Sequence, residues 1–186
     1  MLLYSNDSRM SINMVDFTAA LYDNCYCTGV DFRKDDPLSI SQKCQYAVRA
    51  TLELAKRYGQ KPTSIGEIAA SQAIPPRFLE VILNEMRQPG FVQSSRGIRG
   101  GYQLAKPPGE ITIGQVIRFV DGTLEPVKCI TEQGGKSSCS FKPGCALVEV
   151  WIQAQQAVER VYDSTTFELL VAREKELQRN EVDYTI

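Results

Sequence analysis

The sequence predicts a mainly α protein with a small β-hairpin wing: a winged helix-turn-helix domain followed by a long dimerisation helix. Three observations carry this expectation. From residue 39 onward, apolar residues recur at steps of three and four in successive segments, as they do in helices that bury one face. Two short strand-like stretches flank the loop Arg96-Gly97-Ile98-Arg99-Gly100-Gly101, the pattern of a hairpin. After Cys145, the residues Leu147, Trp151, Ala154, Val158 and Val161 advance by four, three, four and three, a heptad seam that needs a facing helix.

Residues 1–37 show no sustained period and read as a poorly ordered extension, with at most a short helix near Met14–Tyr22. Its Cys25 and Cys27 are separated by one residue, a poor fit to zinc-knuckle spacing. From Ser39 to about Tyr58, the residues Ile40, Cys44, Ala47, Val48, Leu52, Ala55 and Tyr58 form a helical face that Gly59 closes. Thr63 or Ser64 caps a second, short helix with Glu67 completing a capping box, and this helix ends near Gln72. Pro75-Pro76 opens a third helix through Phe78, Leu79, Ile82, Leu83 and Met86 to Arg87, and Pro89-Gly90 stops it. Phe91–Ser94 and Tyr102–Ala105 are the strands of the wing. Thr112 caps a short helix through Ile113, Val116, Ile117 and Val120, and the heptad helix and a last segment from Thr166 to about Gln178 complete the chain. The seam faces either that last segment or the same helix of a second subunit, with a homodimer preferred because modules of this size read two half-sites. The expected divisions are therefore an extension at 1–37, the winged domain at 38–122, a cysteine loop at 123–145 and the dimerisation and C-terminal helices at 146–180.

The chain of 186 residues has a formal charge of −1, which conceals an uneven distribution. Residues 1–37 carry three Lys/Arg against six Asp, residues 38–106 carry ten against four Glu, and residues 107–186 carry eight against twelve acidic residues. The basic excess is thus confined to the middle third, as an electrostatic footprint for a polyanion would be. No apolar run is long enough to span a membrane and no secretory signal is evident, so the expected location is cytoplasmic, with no membrane partner. In that reducing setting the six cysteines are metal-binding, redox-active or buried rather than paired. An enzyme is disfavoured: without histidine there is no Cys-His or Ser-His pair, and no phosphate loop or paired catalytic carboxylates stand out.

A second helix and a third joined by a tight turn, followed by a basic wing, form a reader of double-stranded DNA. The third helix offers Arg77 for guanine, Glu80 for cytosine N4 and Asn84 for adenine. Arg96 and Arg99, at the wing tip, suit a narrow minor groove. Lys43, Arg49, Gln93, Ser94 and Ser95 are candidate phosphate contacts, which supply affinity without sequence information. Cys129, Cys139 and Cys145 share a loop rich in glycine and proline, which has little means of burying itself and is expected to be ordered by something the thiols hold.

Taken together, Gln45-Tyr46-Ala47-Val48-Arg49-Ala50, Phe78-Leu79-Glu80, Arg96-Gly97-Ile98-Arg99-Gly100-Gly101-Tyr102 and the cysteine loop leading to Trp151 resemble the Rrf2 family of bacterial regulators, over residues 38 to about 172. The resemblance implies a dimer with crossing long helices, a repressor or activator role, a minor-groove arginine at Arg96 and a site-discriminating glutamate at Glu80. In cluster-binding members three loop cysteines ligate an iron–sulfur centre, and these map to Cys129, Cys139 and Cys145. The first spacing here, nine residues, is longer than usual in the family, whereas the second, five, fits. The histidine that completes the cluster in some members is replaced by Val148, and the aspartate used by others falls at Gln45. The fourth ligand stays open between Cys44, which lies on the apolar stripe of the first helix, Glu149, and a solvent molecule or small thiol.

The favoured reading is a dimeric, sequence-specific DNA-binding transcription regulator, a repressor, whose affinity is set by a 2Fe-2S or 4Fe-4S cluster. Two alternatives accompany it. One is a cluster-free regulator of the same fold that senses redox state, zinc or a partner protein. The other is a protein-interaction module that does not bind DNA.

Overall fold

Helix α1 (Gln42–Lys56) is the element against which most of the others are assembled. The computed structural model describes residues 40–97, 100–122 and 145–183. The expectations for residues 1–37, for Arg99 and for Cys129 and Cys139 lie outside them. Ser41 caps α1, its Oγ accepting from the Cys44 N–H at 3.1 Å. Cys44, Ala47, Ala50, Thr51, Leu54 and Ala55 form its buried stripe, and the small side chains at 47 and 50 let neighbouring elements approach closely.

Helix α2 (Ile65–Gln72) opens on the expected capping box: Ser64 Oγ accepts from the Glu67 N–H at 3.3 Å, and the Glu67 carboxylate accepts from the Ser64 N–H at 2.9 Å. The turn to α3 (Pro76–Met86) passes through Ala73 in the left-handed region at φ +49°, and the Ala73 N–H donates to the Ala69 carbonyl. Leu79, Ile82, Leu83 and Met86 bury one face of α3. Phe78 departs from the expected apolar face: it is 64 % exposed, and Val81 is 55 % exposed. The reason is geometric, since at 3.6 residues per turn positions 78 and 81 fall outside the stripe defined by 79, 82, 83 and 86.

Strands β1 (Val92–Ser95) and β2 (Gly101–Leu104) pair antiparallel from Val92↔Leu104 to Ser95↔Gly101. The wing is also stitched to the residue before α2's cap. Thr63 and Tyr102 exchange N–H···O bonds of 2.9 and 2.8 Å. Gly101 is required there, because a Cβ would collide with the Thr63 backbone.

A one-turn 3-10 helix at Pro108–Glu110 precedes α4 (Ile113–Val120), which starts on a second capping box formed by Thr112 and Gln115. Helices α5 (Leu147–Ser164) and α6 (Phe167–Asp183) follow. α6 returns to α1 and the 3-10 helix. Phe167 is fully buried and its N–H donates to the Ile111 carbonyl at 3.0 Å, while Lys56 Nζ lies 2.6 Å from the Glu174 carboxylate.

Helix α5 docks on α4 near its C-terminal end, where Val158 and Tyr162 pack beside Cys44 and Ile117. Arg118 pairs with Asp163, and Gly114 is buried where a Cβ would meet the Asp163 carboxylate. This contact divides the heptad seam. Val158 packs into its own chain, whereas Leu147 and Val161 remain 57 % and 61 % exposed. The last segment packs on α1 instead of sealing the seam, and among the described residues α5 buries no side chain. No helix of the described residues is long and apolar enough to cross a membrane.

Candidate nucleic-acid interface and cysteine loop

Burial of Leu79, Ile82, Leu83 and Met86 fixes the rotation of α3 and so decides what it presents outward. Arg77, Val81 and Asn84 form the middle of the outward face, with Glu80 on one side and Phe78 and Glu85 on the other. Arg77, Glu80 and Asn84 are all exposed, as a helix that reads base edges requires. Asn84 Oδ1 also accepts from the Tyr102 hydroxyl at 3.1 Å, which ties the outward face of α3 to the wing.

Gln93, Ser94 and Ser95 are exposed along β1, and Arg96 is exposed immediately beyond it. Gly97, at φ +107°, begins the turn at the tip. Lys43 is exposed and pairs with Glu85 at 2.6 Å. A surface pair of this kind is worth at most about 1 kcal/mol, so a phosphate can displace it. Arg49 departs from its expected place among the phosphate contacts. It is half-buried, and its guanidinium donates to the Gln72 carbonyl. The last carbonyls of a helix lack partners within the helix, and Arg49 supplies one for α2.

A polar anchor that the sequence did not suggest lies where the cysteine loop begins. The Ser41 N–H and hydroxyl donate to the two carboxylate oxygens of Asp121 at 2.8 and 2.5 Å. Asp121 thereby ties the end of α4 to the N-terminus of α1, where a helix favours negative charge. At the far end of the loop, half-buried Cys145 leads into α5, and Glu149 is exposed one turn further on. In sequence the loop thus joins Asp121, anchored on α1, to the exposed first turn of α5.

Cys44, one candidate for the fourth ligand, lies in the core. It is fully buried beside Ile117, and burial, with the nearby Asp121 carboxylate adding to it, pushes its thiol up to about 12. A thiol so placed packs as a small apolar group. Gln45 is exposed and its amide donates to the Ile40 carbonyl at 3.0 Å. Among the described residues no three His, Cys, Asp or Glu side chains come together as a metal site. Cys145 is the one loop thiol within them. The donor set of the loop, three thiols within residues 129–145, suits iron in its chemistry.

A family model described as "Rrf2: Iron-dependent Transcriptional regulator" matches residues 40–173. The chain belongs to the Rrf2 family. The transcriptional regulator CymR of Bacillus subtilis is 36 % identical to it over 135 residues, spanning 73 % of this chain and 91 % of CymR. The solved structure of that organism's CymR, titled the global cysteine regulator, matches with a TM-score of 0.61 over 73 % of this chain and 98 % of its own. IscR of T. potens, 30 % identical, matches with a TM-score of 0.62 over 76 % and 91 %. This Rrf2 chain is accordingly a DNA-binding transcriptional regulator with a winged-helix fold, and not an enzyme. Its membership selects the DNA-binding reading over the protein-interaction module.

Proposed function

We propose that this Rrf2 protein is a dimeric cytoplasmic repressor whose DNA affinity is set by an iron–sulfur cluster held by Cys129, Cys139 and Cys145. The observation that carries the reading is the position of the thiols. They lie on the one segment that joins the α1/α4 anchor at Asp121 to the seam-bearing helix α5. Glu149, or a solvent molecule or small thiol, completes the ligand set. When bound, such a cluster supplies a centre whose charge responds to oxidation and nitrosylation.

The chain's own residues do the rest. Arg77, Glu80 and Asn84 address base edges in the major groove, and Arg96 and Arg99 address the minor groove. Lys43, Gln93, Ser94 and Ser95 position the protein on phosphates. A change in loop order alters the placement of α5 relative to α1, and regulation follows when the two placements bind DNA with different affinity. The same loop supports a second reading, a cluster-free thiol sensor. Its specific support is the similarity to a cysteine regulator at 36 % identity.

Anaerobic purification followed by an absorption spectrum and iron and sulfide analysis separates these readings. Visible absorption with stoichiometric iron and sulfide is expected for wild type and is lost in Cys145→Ser. Colourless protein free of both overturns the cluster, and stoichiometric zinc replaces it. In the same preparations, Arg96→Ala is expected to lower the salt slope of duplex binding by about 1. An unchanged affinity and slope removes Arg96 from the interface.

A further inference from the structure

The outward face of α3 carries two large apolar side chains that the hydrogen-bonding account of base recognition leaves without a role. Val81 is 55 % exposed and Phe78 is 64 % exposed. Neither can turn inward, because Leu79, Ile82, Leu83 and Met86 are already buried beneath the helix and hold its rotation. Val81 lies in the middle of the face, between Arg77 one turn before it and Asn84 almost one turn after it. A side chain there enters the groove whenever its neighbours do. Phe78, three residues earlier, extends the apolar surface toward the Lys43–Glu85 pair.

The major groove offers one apolar feature to such a side chain, the C5 methyl of thymine. We propose that Val81 is a specificity-determining residue that reads a thymine methyl, with Phe78 shielding that contact from water on the side of α1. The proposal rests on the DNA-reading role of α3 and adds to it a base preference that no hydrogen-bonding residue supplies. The partner is duplex DNA because the face is surrounded by Arg77, Asn84 and the wing, within the segment where ten Lys/Arg oppose four Glu. A protein partner would be expected to cover the apolar pair together with its polar neighbours, and would show no dependence on a base methyl.

The test uses the full-length protein and a duplex enriched by it from a random pool. Each thymine of that duplex is replaced in turn by uracil, which removes the methyl and leaves every hydrogen-bonding group in place. Wild type is expected to lose roughly fourfold in affinity per half-site at one thymine position, about the value of one buried methylene-sized group. Val81→Ala should bind the thymine and uracil duplexes equally, and Val81→Ile should restore the difference. As Val81 is exposed, neither variant disturbs the core.

Tight binding with no uracil effect at any position, or a uracil effect that survives in Val81→Ala, overturns the methyl contact while leaving DNA reading by α3 intact. Failure to enrich any duplex removes sequence-specific reading, and the methyl contact with it. Retained enrichment in Arg77→Ala with an altered base preference, alongside an unchanged uracil effect, supports separate roles for Arg77 and Val81.

Discussion

The DNA-reading half and the long helix α5 treat their apolar residues in opposite ways. In α1, α2 and α3 the apolar stripes close on one another, and Ala47, Ala50, Ile68, Leu79 and Leu83 are fully or almost fully buried within one chain. In α5 a stripe of similar quality buries no residue among those described, and Leu147, Val150 and Val161 each stay more than half exposed. The first region is complete as a single chain. The second leaves its stripe uncovered within one chain, and its heptad spacing is compatible with the second copy proposed above. The apolar residues Phe78 and Val81 on α3 also stay exposed, because their angle on the helix sets them outside its buried stripe.

Three measurements probe that contrast. The largest effect is expected where a single side chain closes the reading half. Phe167 is fully buried between α6 and the core around Ile111, and Phe167→Ala should cost about 3–5 kcal/mol in urea unfolding. A loss below 1 kcal/mol would show that α6 is not integral to that half. Next, the double substitution Leu147→Asp with Val161→Asp should leave helical content unchanged and yield a monomer by analytical ultracentrifugation. Duplex affinity should fall by about 10²-fold or more, because two linked half-sites no longer act together. A dimer that survives both charges would move the interface away from the seam.

The smallest effect concerns Glu53, the buried carboxylate of α1. Burial raises its pKa, but hydrogen bonds from Gln72 at 3.0 Å and Arg57 at 2.8 Å, with the charges of Arg57 and Lys56, outweigh it and hold the pKa below its ordinary value. Because the folded value is depressed, the carboxylate contributes stability above the ordinary carboxylate range, and that contribution is lost as pH falls through the depressed folded value. Glu53→Ala should therefore cost roughly 1.5–3 kcal/mol near neutral pH and progressively less in acid. A cost independent of pH would mean that the side chain acts by packing alone.

Much of the reading half was legible from residue pattern, since its signals are local. The Ser64–Glu67 box, Pro76 at the start of α3 and the glycines of the wing each specify backbone geometry within a few residues. The outward set Arg77, Glu80 and Asn84 followed from the period of α3. Phe78 is apolar yet exposed because its angle on the helix lies outside the stripe of Leu79, Ile82, Leu83 and Met86, which residue type alone does not reveal. Other features had no local signal. Ser41 and Asp121 are eighty residues apart, and Gly114 is needed only because Asp163 of α5 lies against it.

By itself the sequence determined the helical and hairpin elements, their caps, the basic middle third, the heptad spacing of α5 and three thiols in one loop. Each of these depends on neighbours a few residues away. Only the tertiary structure decided that Cys44 is a core thiol, that Arg49 serves α2, that α6 returns to α1 and that the seam of α5 is left open. Burial and long-range pairing are properties of surfaces brought together by folding, and a linear pattern states which surfaces are apolar without stating which of them meet.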